Sequence, residues 1–313
     1  MIYGIVYNHD SKMASGNTVP ALVSVKWLAD AMKSGKTPEG RPLRVLDATW
    51  LGMLNEGQEA YNKQHIPGSF YADGNVCRDK TSGYYYTIPS AEDFAEFAGK
   101  MWGVDGNTHV VVYENDPFYK IMTAPRVWWL FRLYGHDAVS VLDGGLQQWL
   151  ADGQPVTDKA TPDPKPVTFP MAAKRGHLYK SYEDVLQNQS QPKFQLMDSR
   201  PVEWYDGSNP SPYPGIKLGI IKTATNIPFP NVLREGSSMF KSQDDLRTLF
   251  ESHQIDLSKP LTSTCFVGIT ACILALSAFV VGKEDVAVFD GSWDEYSQKA
   301  PENTMTFYEL KQA

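Results

Sequence analysis

One pattern of strands and helices is written twice in this chain, in the same order, and that duplication limits the fold more than any other feature. In the first copy Arg44-Val45-Leu46-Asp47-Ala48 is a short apolar segment ending in an aspartate, and Phe194-Gln195-Leu196-Met197-Asp198-Ser199 answers to it in the second. His109 to Tyr113 corresponds to Leu261 to Thr264, and a helical run follows each, Ala124 to Tyr134 and Thr270 to Val281. Next come Val139 to Gly145 and Val286 to Ser292, both with an Asp-Gly pair ahead of a tryptophan-bearing segment. Strands alternating with helices predict an α/β architecture, each copy a largely parallel sheet flanked by helices. Between the copies, Gly153 to Pro170 holds Pro155, Pro162, Pro164, Pro166 and Pro170, too many for a helix or a central strand. It reads as an extended linker. A chain of 313 residues exceeds the usual size of one core, and the expected division is residues 1–152, a linker over 153–175 and residues 176–313.

The copies differ in the turn after the central strand. The second has Thr264-Cys265-Phe266-Val267-Gly268-Ile269-Thr270-Ala271, a lone cysteine between strand and helix; the first has Glu114-Asn115-Asp116-Pro117 and no thiol. In such a turn backbone N–H groups converge and the helix N-terminus adds partial positive charge, which would stabilise a thiolate at Cys265. Free cysteine is also among the most buried residue types, so the pattern alone fits an inert core thiol as well as a nucleophile. Gly268 is expected to supply a conformation open mainly to glycine, and Thr270 to cap the helix. Cys272 shares a helix face with Cys265 and reads as core. The loop has no charged residue between Leu261 and Gly282, so its electrostatics are expected to rest on oriented amides and the helix dipole. Trp27, Trp128, Trp129, Trp149 and Trp293 are too scattered for a ligand box and read as core.

Hydrophobic residues make up 42% of the chain and charged ones 21%, as in a folded protein, and a net charge of -7 argues against nucleic acid or an anionic membrane as the main partner. No run of eighteen apolar residues is present. Met1 to Asp10 shows neither a basic n-region nor an Arg-rich amphipathic pattern, and Met13-Ala14-Ser15 could be an internal start. The three cysteines, Cys77, Cys265 and Cys272, are odd in number, which points to a reducing compartment, cytoplasmic or mitochondrial. Without a Gly-x-x-x-x-Gly-Lys segment or ligands at metal spacing, no cofactor and no metal are expected.

With His65-Ile66-Pro67-Gly68-Ser69 in the first copy and Asp290-Gly291-Ser292-Trp293 near the end, the chain resembles the tandem-domain rhodanese family, and within it the mercaptopyruvate/thiosulfate sulfurtransferases. The likeness runs from about Val19 to the C-terminus and is dense in Ala124-Pro125-Arg126-Val127-Trp128-Trp129, in Leu142 to Leu146 and in Gly176 to Asp184. The resemblance implies two rhodanese-like domains, the first without the catalytic cysteine and the second carrying Cys265. It implies that Cys265 accepts a sulfur atom as a persulfide and passes it to a thiol. The implied partners are a small sulfur donor and a thiol acceptor, with a protein persulfide or a thioredoxin-like reductant among the candidates, and neither nucleic acid nor membrane.

The family's loop pattern is Cys-x-x-Gly-Val-Thr, with Arg-Lys at x-x in thiosulfate enzymes and Gly-Ser in mercaptopyruvate enzymes; here those places hold Phe266 and Val267. Where the mercaptopyruvate branch has an acid and a histidine, this chain has Asn75 and Tyr86, and where it has two carboxylate-clamping arginines, Trp204 and Tyr213. The resemblance therefore assigns catalysis to Cys265, the active-site loop to Phe266, Val267, Gly268, Ile269 and Thr270, and donor contacts to Trp204, Tyr213, Tyr86 and Asn75. Arg200 is expected in a structural ion pair, and His65 in a turn. A cleft lined this way holds small dianions weakly, since each charge-assisted hydrogen bond lost is worth about 1.5–3 kcal/mol. The expected function is a sulfurtransferase with donor specificity altered from thiosulfate and mercaptopyruvate; the alternative is a pseudoenzyme that keeps the fold as an interaction scaffold. A cysteine phosphatase would need an arginine at the end of the loop, and Ile269-Thr270-Ala271-Cys272 is neutral.

Overall fold

The computed structural model describes residues 19–51, 56–74 and 77–308. The first half contains β1 (Leu22–Val23), β2 (Leu43–Asp47), β3 (Phe70–Tyr71), β4 (His109–Tyr113) and β5 (Val139–Leu142), joined in the order β1-β5-β4-β2-β3. The second contains β6 (Tyr179–Lys180), β7 (Gln195–Asp198), β8 (Gly219–Ile221), β9 (Ala224–Asn226), β10 (Leu261–Thr264), β11 (Ala287–Phe289) and β12 (Met305–Phe307). Its main sheet runs β6-β11-β10-β7-β9, the same order strand for strand, and every pair in both sheets is parallel. β8 and β12 form an extra antiparallel ribbon. The central strand β4 is buried along its whole length, as a strand covered by helices on both faces must be, and its Val-rich run supplies that surface. Register places Asp47 opposite Tyr113 and Asp198 opposite Thr264, so both central strands end at matching points. No helix among the described residues is long and apolar enough to cross a membrane.

The proline-rich stretch is extended but lies packed along the first half. His65 and Thr157 exchange backbone hydrogen bonds at 2.9 Å, Val167 donates to the Gly99 carbonyl, and Phe169 is buried against Phe94, Phe131 and His136. The residues between the prolines keep their N–H groups, and those make the ties.

The halves meet through equivalent parts. The Ala124–Leu133 helix, with Pro125 in its first turn, packs on the Ala271–Val280 helix, and both are buried almost all round. Asp143 of the first half accepts the Phe240 N–H at 2.8 Å, and Asp290 of the second accepts the Ile88 N–H at 2.8 Å. Each of those amides lies two residues before a helix-capping serine, Ser242 and Ser90. The two Asp-Gly turns thus reach across in mirrored fashion, and one apolar core is continuous through both halves.

After β4 the first copy fills its turn with Glu114. The carboxylate accepts the N–H groups of Met122, Thr123 and Ala124 at the N-terminus of the following helix, together with the Thr123 hydroxyl. These bonds favour the charged form, but complete burial outweighs them and pushes Glu114 up to about 7 from 4.5. Between those values the folded chain binds more protons than the unfolded one, so stability is highest below about 4.5 and falls as pH rises towards 7. Glu114→Gln keeps an acceptor oxygen and removes the proton; thermal unfolding followed from pH 4.5 to 7 should lose a descending component of up to about 3 kcal/mol in the variant.

Candidate active site

β10 delivers Cys265 into a turn closed from two sides. The Gly268 N–H donates to Cys265 Sγ at 3.1 Å, and it is the only backbone amide within hydrogen-bond distance of that sulfur among the described residues. The Ser292 hydroxyl lies 4.0 Å from Sγ, accepts the Cys265 N–H at 3.1 Å and donates to the Phe289 carbonyl. Ser292 holds a left-handed φ of 51°, where the first copy has Gly145 at 55°. Its three contacts stabilise a conformation that costs a serine about 1–3 kcal/mol. Gly268 sits at φ 82°, and a Cβ there would lie 2.3 Å from the Asp290 carbonyl oxygen, so no side chain fits. Thr270 departs from expectation: its hydroxyl pairs with Ser199 Oγ at 2.8 Å and makes no cap. With a helical φ and ψ of −69° and −17°, its side chain is turned away from the first-turn amides.

The turn is not electrostatically self-contained, and this corrects the expectation drawn from its neutral sequence. Arg126, on the Ala124–Leu133 helix of the first half, donates through Nη1 to the Gly268 carbonyl at 3.0 Å and to Asp290 Oδ1 at 2.8 Å. Its Nη2 donates to the Tyr86 carbonyl. Burial opposes the guanidinium's charge, but Asp290, Cys272 and Cys265 outweigh it and hold Arg126 above its ordinary range. Gly268 lies 142 residues from Arg126. The Asp290-Gly291-Ser292-Trp293 motif was visible as a phrase, whereas nothing in the spacing of Arg126 pointed here.

Over the turn lies a sheet of rings. Phe266 meets Trp204 edge-on at 5.9 Å and Tyr213 at 5.6 Å; Tyr213 meets Tyr85 at 5.3 Å, and Trp204 meets Tyr119 at 6.1 Å. Tyr86 follows Tyr85 and packs edge-on against Trp50. Phe266, Val267, Ile269, Tyr86, Trp204 and Tyr213 belong to one apolar cluster, so five side chains singled out from the sequence share it with Tyr86. Tyr85 and Tyr119 join them from the first half without having been foreseen. Asn75 lies outside the described residues. Under the rings, Arg200 pairs with Asp198 at 2.6 Å within the second half and stacks 4.9 Å from the Phe266 centroid. Burial first, and the Cys265 sulfur next, push the Tyr213 phenol well above its ordinary range, so it stays neutral. Cys265 itself is only 2% exposed.

The other thiols are poor nucleophiles. Burial pushes Cys77 up to about 12 and raises Cys272 further; Cys272 instead donates to the Gly268 carbonyl. His65 pairs with the Tyr61 carbonyl and stacks on the Tyr61 ring. No cluster of three His, Cys, Asp or Glu suited to a metal occurs among the described residues. Two open surface depressions, one lined by Lys36, Glu39 and Arg41 and one by residues of the Tyr182–Ser190 helix, include none of the residues around Cys265.

Residues 24–152 and 181–299 each match the family model of the rhodanese-like domain. Thiosulfate sulfurtransferase of Rattus norvegicus is 44% identical over 286 residues, which cover 91% of this chain and 94% of that protein. For 3-mercaptopyruvate sulfurtransferase of Homo sapiens the identity is 41% over 297 residues, 94% and 98% of the two chains. The crystal structure of SseA from Escherichia coli, described with the rhodanese fold and the mechanism of 3-mercaptopyruvate sulfotransferases, superposes with a TM-score of 0.73 at 26% identity, over 88% of this chain and 99% of that one.

Two ring contacts hold Trp204 over the turn, and aromatic pairs contribute about 0.5–1.5 kcal/mol each. Trp204→Ala should therefore raise the alkylation rate of Cys265 by iodoacetamide roughly tenfold or more while the fold melts within a few degrees of wild type. An unchanged rate would mean that the rings do not control access to the sulfur.

Proposed function

The chain belongs to the rhodanese family, and we propose that it is a sulfurtransferase acting through a persulfide on Cys265, with a donor other than thiosulfate or mercaptopyruvate. The observation that carries this reading is the Gly268 N–H aimed at Cys265 Sγ from 3.1 Å, in a turn whose backbone only glycine allows. A donor of the form R–S–SH suits the site. The Cys265 thiolate attacks the terminal sulfur, the donor's S–S bond breaks, and its electron pair leaves with R–S⁻ as Cys265–S–SH forms. An acceptor thiolate then attacks the outer sulfur, taking it as R′–S–SH and returning the Cys265 thiolate. The Gly268 amide and the helix N-terminus favour the anion at each stage.

The rings support the altered specificity. Phe266 and Val267 offer no charge to a sulfonate or carboxylate, whereas Trp204, Tyr213 and Phe266 offer apolar faces to an organic persulfide or to a persulfide presented by a protein. Three free cysteines accord with a reducing compartment, cytoplasmic or mitochondrial, where a thioredoxin-like thiol could serve as acceptor. One observation favours the second reading, a scaffold without turnover: the thiol is almost wholly enclosed.

Mass spectrometry after exposure to a small organic persulfide separates the two. Wild type should gain one sulfur atom on Cys265; Cys265→Ser should gain none, and Cys77→Ser and Cys272→Ser should behave as wild type. Sulfur loading that survives Cys265→Ser refutes the mechanism, and a wild type that never loads leaves the scaffold.

Specificity is tested by returning charge. Trp204 and Tyr213 are half-buried, with the Tyr213 phenol the more enclosed, so arginines there cost less than at the fully buried loop positions. Trp204→Arg with Tyr213→Arg and Val267→Ser should raise mercaptopyruvate turnover at least tenfold, as two restored charge-assisted hydrogen bonds of about 1.5–3 kcal/mol would allow. Phe266→Arg with Val267→Lys should do the same for thiosulfate, less effectively, because both positions are buried and Phe266 lies on the Arg200 guanidinium. High-affinity thiosulfate turnover by the wild type would refute the altered specificity.

A further inference from the structure

The second-half turn encodes no charge of its own, yet a buried guanidinium from the other half grips it at Gly268 and Asp290. Gly268 is the residue that aims an amide at Cys265 Sγ, and with no Cβ it is also the residue whose backbone is freest to swing that amide away. Arg126 removes the freedom. Its Nη1 holds the Gly268 carbonyl, the same nitrogen holds Asp290, and the Asp290 carbonyl oxygen closes the space beside the Gly268 Cα. The groups facing the guanidinium are the Asp290 carboxylate, the Cys272 and Cys265 sulfurs and the Tyr86 carbonyl, with Cys77 and Tyr134 also within electrostatic reach. Buried between the halves, its charge acts on the sulfur with little screening by salt.

We infer that Arg126 is a positioning residue for sulfur transfer: through the Gly268 carbonyl and Asp290 it fixes the Gly268 amide on Cys265 Sγ and sets a cation behind the sulfur anion. The first half is then part of the catalytic machinery of the second. This inference rests on the persulfide reading above. A lysine in the same place keeps the charge but, as a compact ammonium, cannot span the Gly268 carbonyl, Asp290 and the Tyr86 carbonyl together.

The test is the rate at which the full-length protein takes up sulfur on Cys265 from glutathione persulfide, measured near neutral pH and again at about pH 9.5, where more of any cysteine is thiolate. Arg126→Gln should load at least tenfold more slowly at neutral pH, with much of the deficit recovered at the higher pH; Arg126→Lys should fall between it and wild type. Arg132→Lys is the control, because Arg132 lies on the same helix, is buried and also reaches across the halves, to the Glu284 carbonyl, away from the turn. It should load as wild type. Equal loading by wild type and Arg126→Gln overturns the inference, as does a deficit of the same size at both pH values, which would mark a merely structural arginine. Should Arg126→Gln fail to fold, Arg126→Lys decides by the same two rates. A wild type that takes up no sulfur overturns the proposed function itself, a different outcome from a wild type that loads and variants that match it.

Discussion

A positive charge buried between two halves of one chain must be answered on every side, and the structure around Cys265 is arranged by that demand. Arg126 finds a carboxylate in Asp290 and carbonyls in Gly268 and Tyr86. Taking away one partner of a buried pair typically costs about 3–5 kcal/mol, far more than the pair contributes beyond an apolar contact. Asp290 is bound further by the Ile88 N–H, so the same carboxylate joins the Asp-Gly turn of the second half to the segment that starts a first-half helix. Gly268 has its conformation from this arrangement, and Cys265 has its amide from Gly268.

The two copies show how one backbone supports opposite chemistry. Both central strands end at matching register, and both Asp-Gly turns carry a left-handed residue at equivalent places, Gly145 and Ser292. In the first copy the turn is satisfied internally: the Glu114 carboxylate takes up three helix-terminal amides. In the second, a sulfur atom stands in that position, and serine replaces glycine to hold the Cys265 amide. The first half instead gives the second an arginine.

Rings cover the Cys265 turn, and the geometry gives their presence a physical sense. Phe266 lies over Arg200, whose charge is already spent on Asp198, so an aromatic face covers a buried guanidinium where a second cation would meet it at close range. Trp204 and Tyr213 complete the cover, and Tyr119 and Tyr85 continue it from the other half. Such a surface offers apolar contact and excludes water, the property on which the proposed donor specificity rests.

By itself the sequence determined the architecture, because strand and helix patterns are local and a repeat of their order leaves few ways to arrange a parallel sheet. It also singled out the thiol, since Cys265 alone sits in the turn between a strand and a helix, but all three cysteines are buried and burial does not tell them apart. The aromatic character of the surroundings was legible once Phe266, Trp204, Tyr213 and Tyr86 were set against a known pattern. Contacts between residues far apart in the chain were decided only by the tertiary structure. Thr270 pairs with Ser199 in place of its own helix, the proline-rich stretch packs along the first half, and Tyr85 and Tyr119 cross to the second half's rings. Above all, the charge behind the neutral turn comes from Arg126, on a helix in the other copy. Local spacing cannot announce such a contact, since it depends on the packing of two helices against each other and on the burial that forces a lone guanidinium to find its partners there.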